Sequence, residues 1–144
     1  MRVQQILKSK ASSDVLTVPP ETKVSKAAAV LAEHGIGSLV ISSDGRQALG
    51  ILSERDIVRE LAKSGAGCLT RNVEDYMTRN LVTATADMQA DDVLQKMTDG
   101  RFRHMPVVDG DDLIGLITLG DVVKARLSEL SMEKDALEGM IMGH

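Results

Sequence analysis

The stretch from Val15 to Leu61 returns, element by element, as Leu81 to Leu127. Self-similarity at a fixed spacing means that one supersecondary unit is used twice, and this restricts the fold more than any other feature of the chain. Thr17 and Thr83 are 66 positions apart and Asp56 and Asp121 are 65 apart, so the second copy is one residue shorter, a loss that falls naturally in a turn. The lead-ins agree as well: Val3-x-x-Ile6-Leu7 precedes the first copy and Val73-x-x-Tyr76-Met77 the second, each a short helical turn or linker. One copy has only about 45 residues, too few to bury a core by itself. The copies should therefore pack together, and pairing them about a pseudo-two-fold axis leaves two related clefts, a common place for ligands.

Within the first copy, Val15 to Val18 predicts a short strand ended by Pro19-Pro20, since proline lacks a ladder donor. A helix follows, with Ser25 as its N-cap, Ala27, Val30 and Leu31 as its apolar stripe and Gly35 closing it in the left-handed conformation. Ser38 to Ile41 and Ala48 to Leu52 read as a hairpin around Ser43-Asp44-Gly45, and Ser53 caps a helix running to about Lys63. The second copy repeats this with a helix from Asp91 or Asp92 to Gly100. Strands Met105 to Val108 and Leu113 to Ile117 follow around Asp109-Gly110, and Thr118 caps the last helix. The fold class is α/β (α+β): two β-α-β-β-α repeats in one pseudo-two-fold module, plus a long C-terminal helix. The expected divisions are 1–66, 67–128 and 129–144.

The C-terminal helix, Val122 to about Ile141, has no breaker before Gly139 and places Leu127, Leu130, Leu137 and Ile141 near one face. At 1.5 Å per residue it reaches roughly 30 Å, more than a half-module can cover. Either its stripe meets the same helix of a second subunit, giving a homodimer, or it folds back on its own module.

Composition narrows the function. A net charge of −4, with Tyr76 and Phe102 as the aromatic residues, disfavours nucleic acid, which needs basic surface and stacking platforms. No apolar run approaches the roughly 20 residues of a membrane span, and the start MRVQQILKSK lacks a signal peptide's apolar stretch, so a cytoplasmic protein is expected. Cys68 is the single cysteine, expected to be a loop thiol. Charge is uneven, however: Arg101, Arg103, His104, Lys124 and Arg126 belong to one copy, where a small anion can be held locally although the whole chain is acidic.

Gly50-Ile51-Leu52-Ser53-Glu54-Arg55-Asp56 is echoed by Gly115-Leu116-Ile117-Thr118-Leu119-Gly120-Asp121. A hydroxyl and a carboxylate three apart can simply cap a helix. The same arrangement also presents amides and a hydroxyl to a phosphate and a carboxylate to ribose hydroxyls. Both uses are compatible.

These paired elements, the Met77-Thr78 lead-in and the Met105-Pro106-Val107-Val108 strand resemble a tandem CBS domain protein, CBS standing for the cystathionine β-synthase regulatory domain. The likeness runs from Val3 to Leu127 and implies clefts for AMP, ADP, ATP, NAD(H) or S-adenosylmethionine. It implies ribose-binding carboxylates at Asp56 and Asp121, phosphate-proximal hydroxyls at Ser53 and Thr118, and backbone contacts to the base at Thr17 and Thr83. Leu39-Val40 and Met105-Pro106 would line the adenine slots. One cleft is thus expected from Thr17, Gly37, Ser38, Leu39, Val40, Ser53 and Asp56. A second is expected from Val82, Thr83, Arg103, His104, Met105, Pro106, Thr118 and Asp121.

The second copy has Gly100-Arg101-Phe102-Arg103-His104 where the first has Gly35-Ile36-Gly37-Ser38, so the second cleft is expected to take a longer or more charged ligand, such as the pyrophosphate of NAD. His34, His104 and His144 lack metal-ligand spacing, and no nucleophile elbow, P-loop or catalytic carboxylate pair is present. The expectation is a sensor acting on an unidentified effector protein, not an enzyme. The alternative is a dimerising scaffold with degenerate clefts.

Overall fold

The computed structural model describes residues 1–10 and 15–142; His144 lies outside them. Alternating apolar and glycine-punctuated segments give helices α1 (Val3–Ser9), α2 (Val24–His34), α3 (Glu54–Ser64), α4 (Ala90–Gly100) and α5 (Leu119–Ile141). The strands are β1 (Thr17–Val18), β2 (Ser38–Ile41), β3 (Gly50–Ser53), β4 (His104–Asp109) and β5 (Asp112–Thr118). In the first copy β1 pairs parallel with β2, and β2 antiparallel with β3. In the second copy β4 and β5 form the hairpin, and a parallel bridge from Ala84 to Val107 stands where β1 stands in the first. The two β-α-β-β-α copies are therefore present, with β1 shorter than the expected Val15 to Val18.

The lead-ins are exchanged between copies. Val3 and Ile6 of α1 are buried with Ala90, Val93, Met105 and Ile117 of the second copy, while Val73 and Met77 are buried with Val24, Leu39 and Leu52 of the first. The leading residues of the expected 1–66 unit thus pack in the core of the other copy. A glycine receives each lead-in: a Cβ on Gly115 would lie 2.8 Å from Leu7 Cδ2, and one on Gly50 would lie 2.5 Å from Met77 Sδ.

This exchange also fixes where α2 and α4 begin. Lys23 bridges Asn72 and Gln89 bridges Arg2, both in antiparallel fashion, which holds Lys23 and Gln89 extended as the N-caps. The expected caps Ser25 and Asp91 or Asp92 are corrected accordingly: all three lie in the first helical turn. Gly35 ends α2 at φ 61 as expected. Cys68, expected in a loop, is buried in a short 3₁₀ turn, Gly65–Thr70.

α5 has 23 residues and is about 34 Å long. Val122 and Ala125 bury its first turns, but Leu127, Leu130, Leu137 and Ile141 are 49–84% exposed. The stripe does not fold back on its own module, which removes that alternative. Among the described residues no helix is long and apolar enough to cross a membrane.

Candidate ligand clefts

Both copies end their hairpin in a capped helix. Ser53 Oγ accepts from the Asp56 amide at 3.2 Å, while the Asp56 carboxylate accepts from the Ser53 amide at 2.9 Å and from its hydroxyl at 3.0 Å. Thr118 Oγ1 accepts from the Asp121 amide at 3.1 Å and Asp121 accepts from the Thr118 amide at 2.9 Å. The first helical amides, of Glu54 and Leu119, donate to Gly37 O and Arg103 O. The next amides, of Arg55 and Gly120, have no such partner among the described residues, so each helix keeps a donor at its positive end.

Each helix start faces a loop of the other copy. The first cleft, about 450 Å³, sets Ile51, Ser53 and Asp56 opposite Val82, Arg103, His104 and Pro106. The second, about 580 Å³, sets Leu116 and Thr118 opposite Val15, Leu16, Gly37 and Ser38. This corrects the expected grouping: Val82, Arg103, His104 and Pro106 share a cleft with Ser53 and Asp56, and Gly37 and Ser38 share one with Thr118. Asp121 stands behind the second cleft, held by Lys10, which lines it. His104 lines both clefts. Leu39, Val40 and Met105 are fully buried and line neither. Thr17 and Thr83 also line neither; the residues just before them, Leu16 and Val82, do.

Lys10 and Asn80 were missed by sequence reasoning, although the lead-in match pairs them: each lies seven residues past Val3 or Val73, and each lines one cleft. Lys10 Nζ donates to Asp121 Oδ2 and to Leu116 O, both at 2.9 Å. Burial works to raise the Asp121 pKa, but the Lys10 ammonium and the Thr118 amide outweigh it and hold the carboxyl below the usual range. Burial lowers the pKa of His104, helped by Arg103 and Lys10 and opposed by Glu54 and Asp121.

The clefts differ in charge. Arg55, Arg59, Arg101 and Arg103 line the first. Only Arg59 has a carboxylate partner among the described residues, Asp56 at 3.3 Å. Arg101 occupies the left-handed region at φ 57, the one non-glycine among the described residues with positive φ. That backbone costs an ordinary residue roughly 1–2 kcal/mol. The second cleft has Gly35 and Gly37 at the matching places, and its Ser38 hydroxyl is buried without a hydrogen-bond partner.

Comparison with known proteins agrees with this architecture. The CBS domain family matches residues 3–63 and 73–128. A mitochondrial CBS domain-containing protein of Arabidopsis thaliana, CBSX3, is 34% identical across 98% of this chain and 72% of its own length. The crystal structure of a CBS-domain containing protein from Agrobacterium tumefaciens is 40% identical and superposes with a TM-score of 0.84 over 88% of this chain and 99% of its own. The CBS domain pair of protein MJ0100, solved in complex with 5′-methylthioadenosine and S-adenosyl-L-methionine, is 28% identical with a TM-score of 0.78, covering 90% of this chain and 98% of its own. With both copies matched and the whole module superposing on solved pairs, the chain belongs to the CBS domain family.

Proposed function

We propose that this CBS pair is a regulatory module that binds adenosine-containing ligands in its two clefts and passes their occupancy to a separate effector protein in the cytoplasm. The observation that carries the reading is the paired helix start: in both copies a hydroxyl and an unpartnered amide stand at one end of a cleft, with Asp56 lining the first and Asp121 just behind the second. A loop of the other copy adds apolar side chains opposite, Val82 and Pro106 in the first and Val15 and Leu16 in the second. The solved complex of MJ0100 with two adenosine compounds supports the ligand class. AMP, ADP, ATP and NAD(H) are the candidates, the Asp56 and Asp121 carboxylates accepting from ribose hydroxyls and the helix ends facing phosphate. The exposed α5 stripe supports a homodimer, and a chain ending at Ser128 should then lose half its mass in light scattering.

A thermal-shift panel of AMP, ADP, ATP, NAD, NADH and S-adenosylmethionine tests the reading. A ligand at 100 times its Kd adds about 2.7 kcal/mol to the native state. Asp56→Ala should abolish the shift of a first-cleft ligand and Asp121→Ala that of a second-cleft ligand. A flat panel on folded wild type would replace the sensor with the dimerising scaffold.

A further inference from the structure

We propose that the two clefts divide adenosine compounds by charge: the first takes a nucleoside polyphosphate, the second an adenosine compound without a polyphosphate tail. This rests on the adenosine reading above. The pseudo-two-fold relation makes the comparison position by position. Arg101 and Arg103 in the first cleft stand where the second has Gly35 and Gly37, and Arg55, which also lines the first, is matched in the repeat by Gly120, which does not line the second. These three arginines have no carboxylate within salt-bridge distance among the described residues. Four guanidinium groups converge on this cavity against one lining carboxylate, Asp56, which is already paired with Arg59, and such an excess fits several phosphates, which guanidinium groups bind in bidentate fashion.

The backbone supports the same assignment. Gly35 adopts φ 61 freely, whereas Arg101 holds φ 57 against its own side chain. A strained residue beside a cavity marks a place where the side chain matters more than the turn. The second cleft is the converse. Its Lys10 is committed to Asp121 and Leu116 O, and no arginine lines it. Its buried Ser38 hydroxyl has no hydrogen-bond partner, so one donor and acceptor is open to a ligand there without any added positive charge.

Isothermal titration of the full chain with ATP, AMP, adenosine and tripolyphosphate decides it. Wild type should bind ATP at least tenfold more tightly than AMP, and tripolyphosphate should compete with ATP. The variant Arg101→Gly/Arg103→Gly, which gives the first cleft the residues of the second, should lose that preference, and tripolyphosphate should no longer compete. Arg101→Gly alone should raise the Tm while weakening ATP. Arg55→Ala, on an exposed helical turn, reads the loss independently of the left-handed position. An ATP affinity no better than that of AMP, or a preference that survives the double variant, overturns the charge division and leaves the adenosine reading intact. Binding of tripolyphosphate without any binding of adenosine or AMP overturns the adenosine reading instead.

Discussion

Gly35 and Arg101 end equivalent helices with nearly the same backbone, φ 61 and φ 57, yet only the first is the residue that such a backbone favours. Gly37 and Arg103 differ in the same way two residues later, and the carbonyl oxygen of each accepts from the first amide of the capped helix of its own copy, Glu54 or Leu119. The backbone is thus duplicated faithfully while the groups that look into the clefts diverge. A repeat fixes where a cleft lies; what the cleft can hold depends on a few side chains placed on that common frame.

The frame itself can be broken asymmetrically, and this gives the largest expected effect. Gly50→Ala places a Cβ 2.5 Å from Met77 Sδ, 2.8 Å from Met77 Cγ and 3.0 Å from the Thr78 carbonyl, so a buried side chain and a paired backbone must both move. Overpacking of this kind costs about 1–3 kcal/mol. In Gly115→Ala the new Cβ meets the branched end of Leu7, 2.8 and 2.9 Å from its methyl groups, and that half-buried side chain can rotate away. Urea unfolding should show Gly50→Ala as the weaker protein by at least 1 kcal/mol. Equal losses would mean that the two lead-ins are held with equal rigidity.

How much of this was legible in the sequence follows from the same comparison. The offset between Thr17 and Thr83, the hydroxyl-x-x-Asp elements and the Gly35 terminus are local patterns, and the structure contains the elements they imply, with the strand at Thr83 reduced to the Ala84–Val107 bridge. The exchange of lead-ins is not local: Val3 matches Val73 in the string, but no pattern says that Val3 packs with Val93 and Val73 with Val24. For the same reason the site residues were grouped by copy, whereas the clefts pair Ser53 with Arg103 and Thr118 with Gly37. Ser25 failed as a cap because the Asn72 bridge, a tertiary contact, holds Lys23 extended. Arg101 in the left-handed region runs against its own propensity, and such a local conflict is expected where function overrides stability.

A smaller effect separates the two caps. Ser53 exchanges three hydrogen bonds with Asp56, one of them donated by its own hydroxyl to the carboxylate. Thr118 exchanges two with Asp121, whose carboxylate Lys10 holds in any case. Replacing an N-cap hydroxyl by alanine costs about 1 kcal/mol. Ser53→Ala should lie at or above that figure and Thr118→Ala below it, read as the difference in chemical-denaturation midpoints. The reverse order would mean that α5, the longer helix, depends more on its cap than on the lysine.

The smallest effect isolates that lysine, which has no cationic counterpart in the first cleft because Asn80 takes its place. With its folded pKa held below the usual value by Lys10, the Asp121 carboxyl binds fewer protons in the native than in the unfolded state as pH falls. Its contribution is therefore present above the unfolded pKa of about 3.9 and is lost as pH drops through the lower folded value. Lys10 and Asp121 are 26% and 22% exposed, so the pair is partly screened, and a contribution of up to about 1 kcal/mol is expected. Lys10→Met should flatten the fall of the urea midpoint below pH 4 relative to wild type. The same variant leaves Asp121 without its competitor in the second cleft, so an adenosine ligand that needs this carboxylate for its ribose should bind more tightly there. Parallel acid limbs with unchanged ligand affinity would reduce the Lys10 contact to an idle surface pair; a flattened limb with tighter binding would make it the group that the second cleft's ligand displaces.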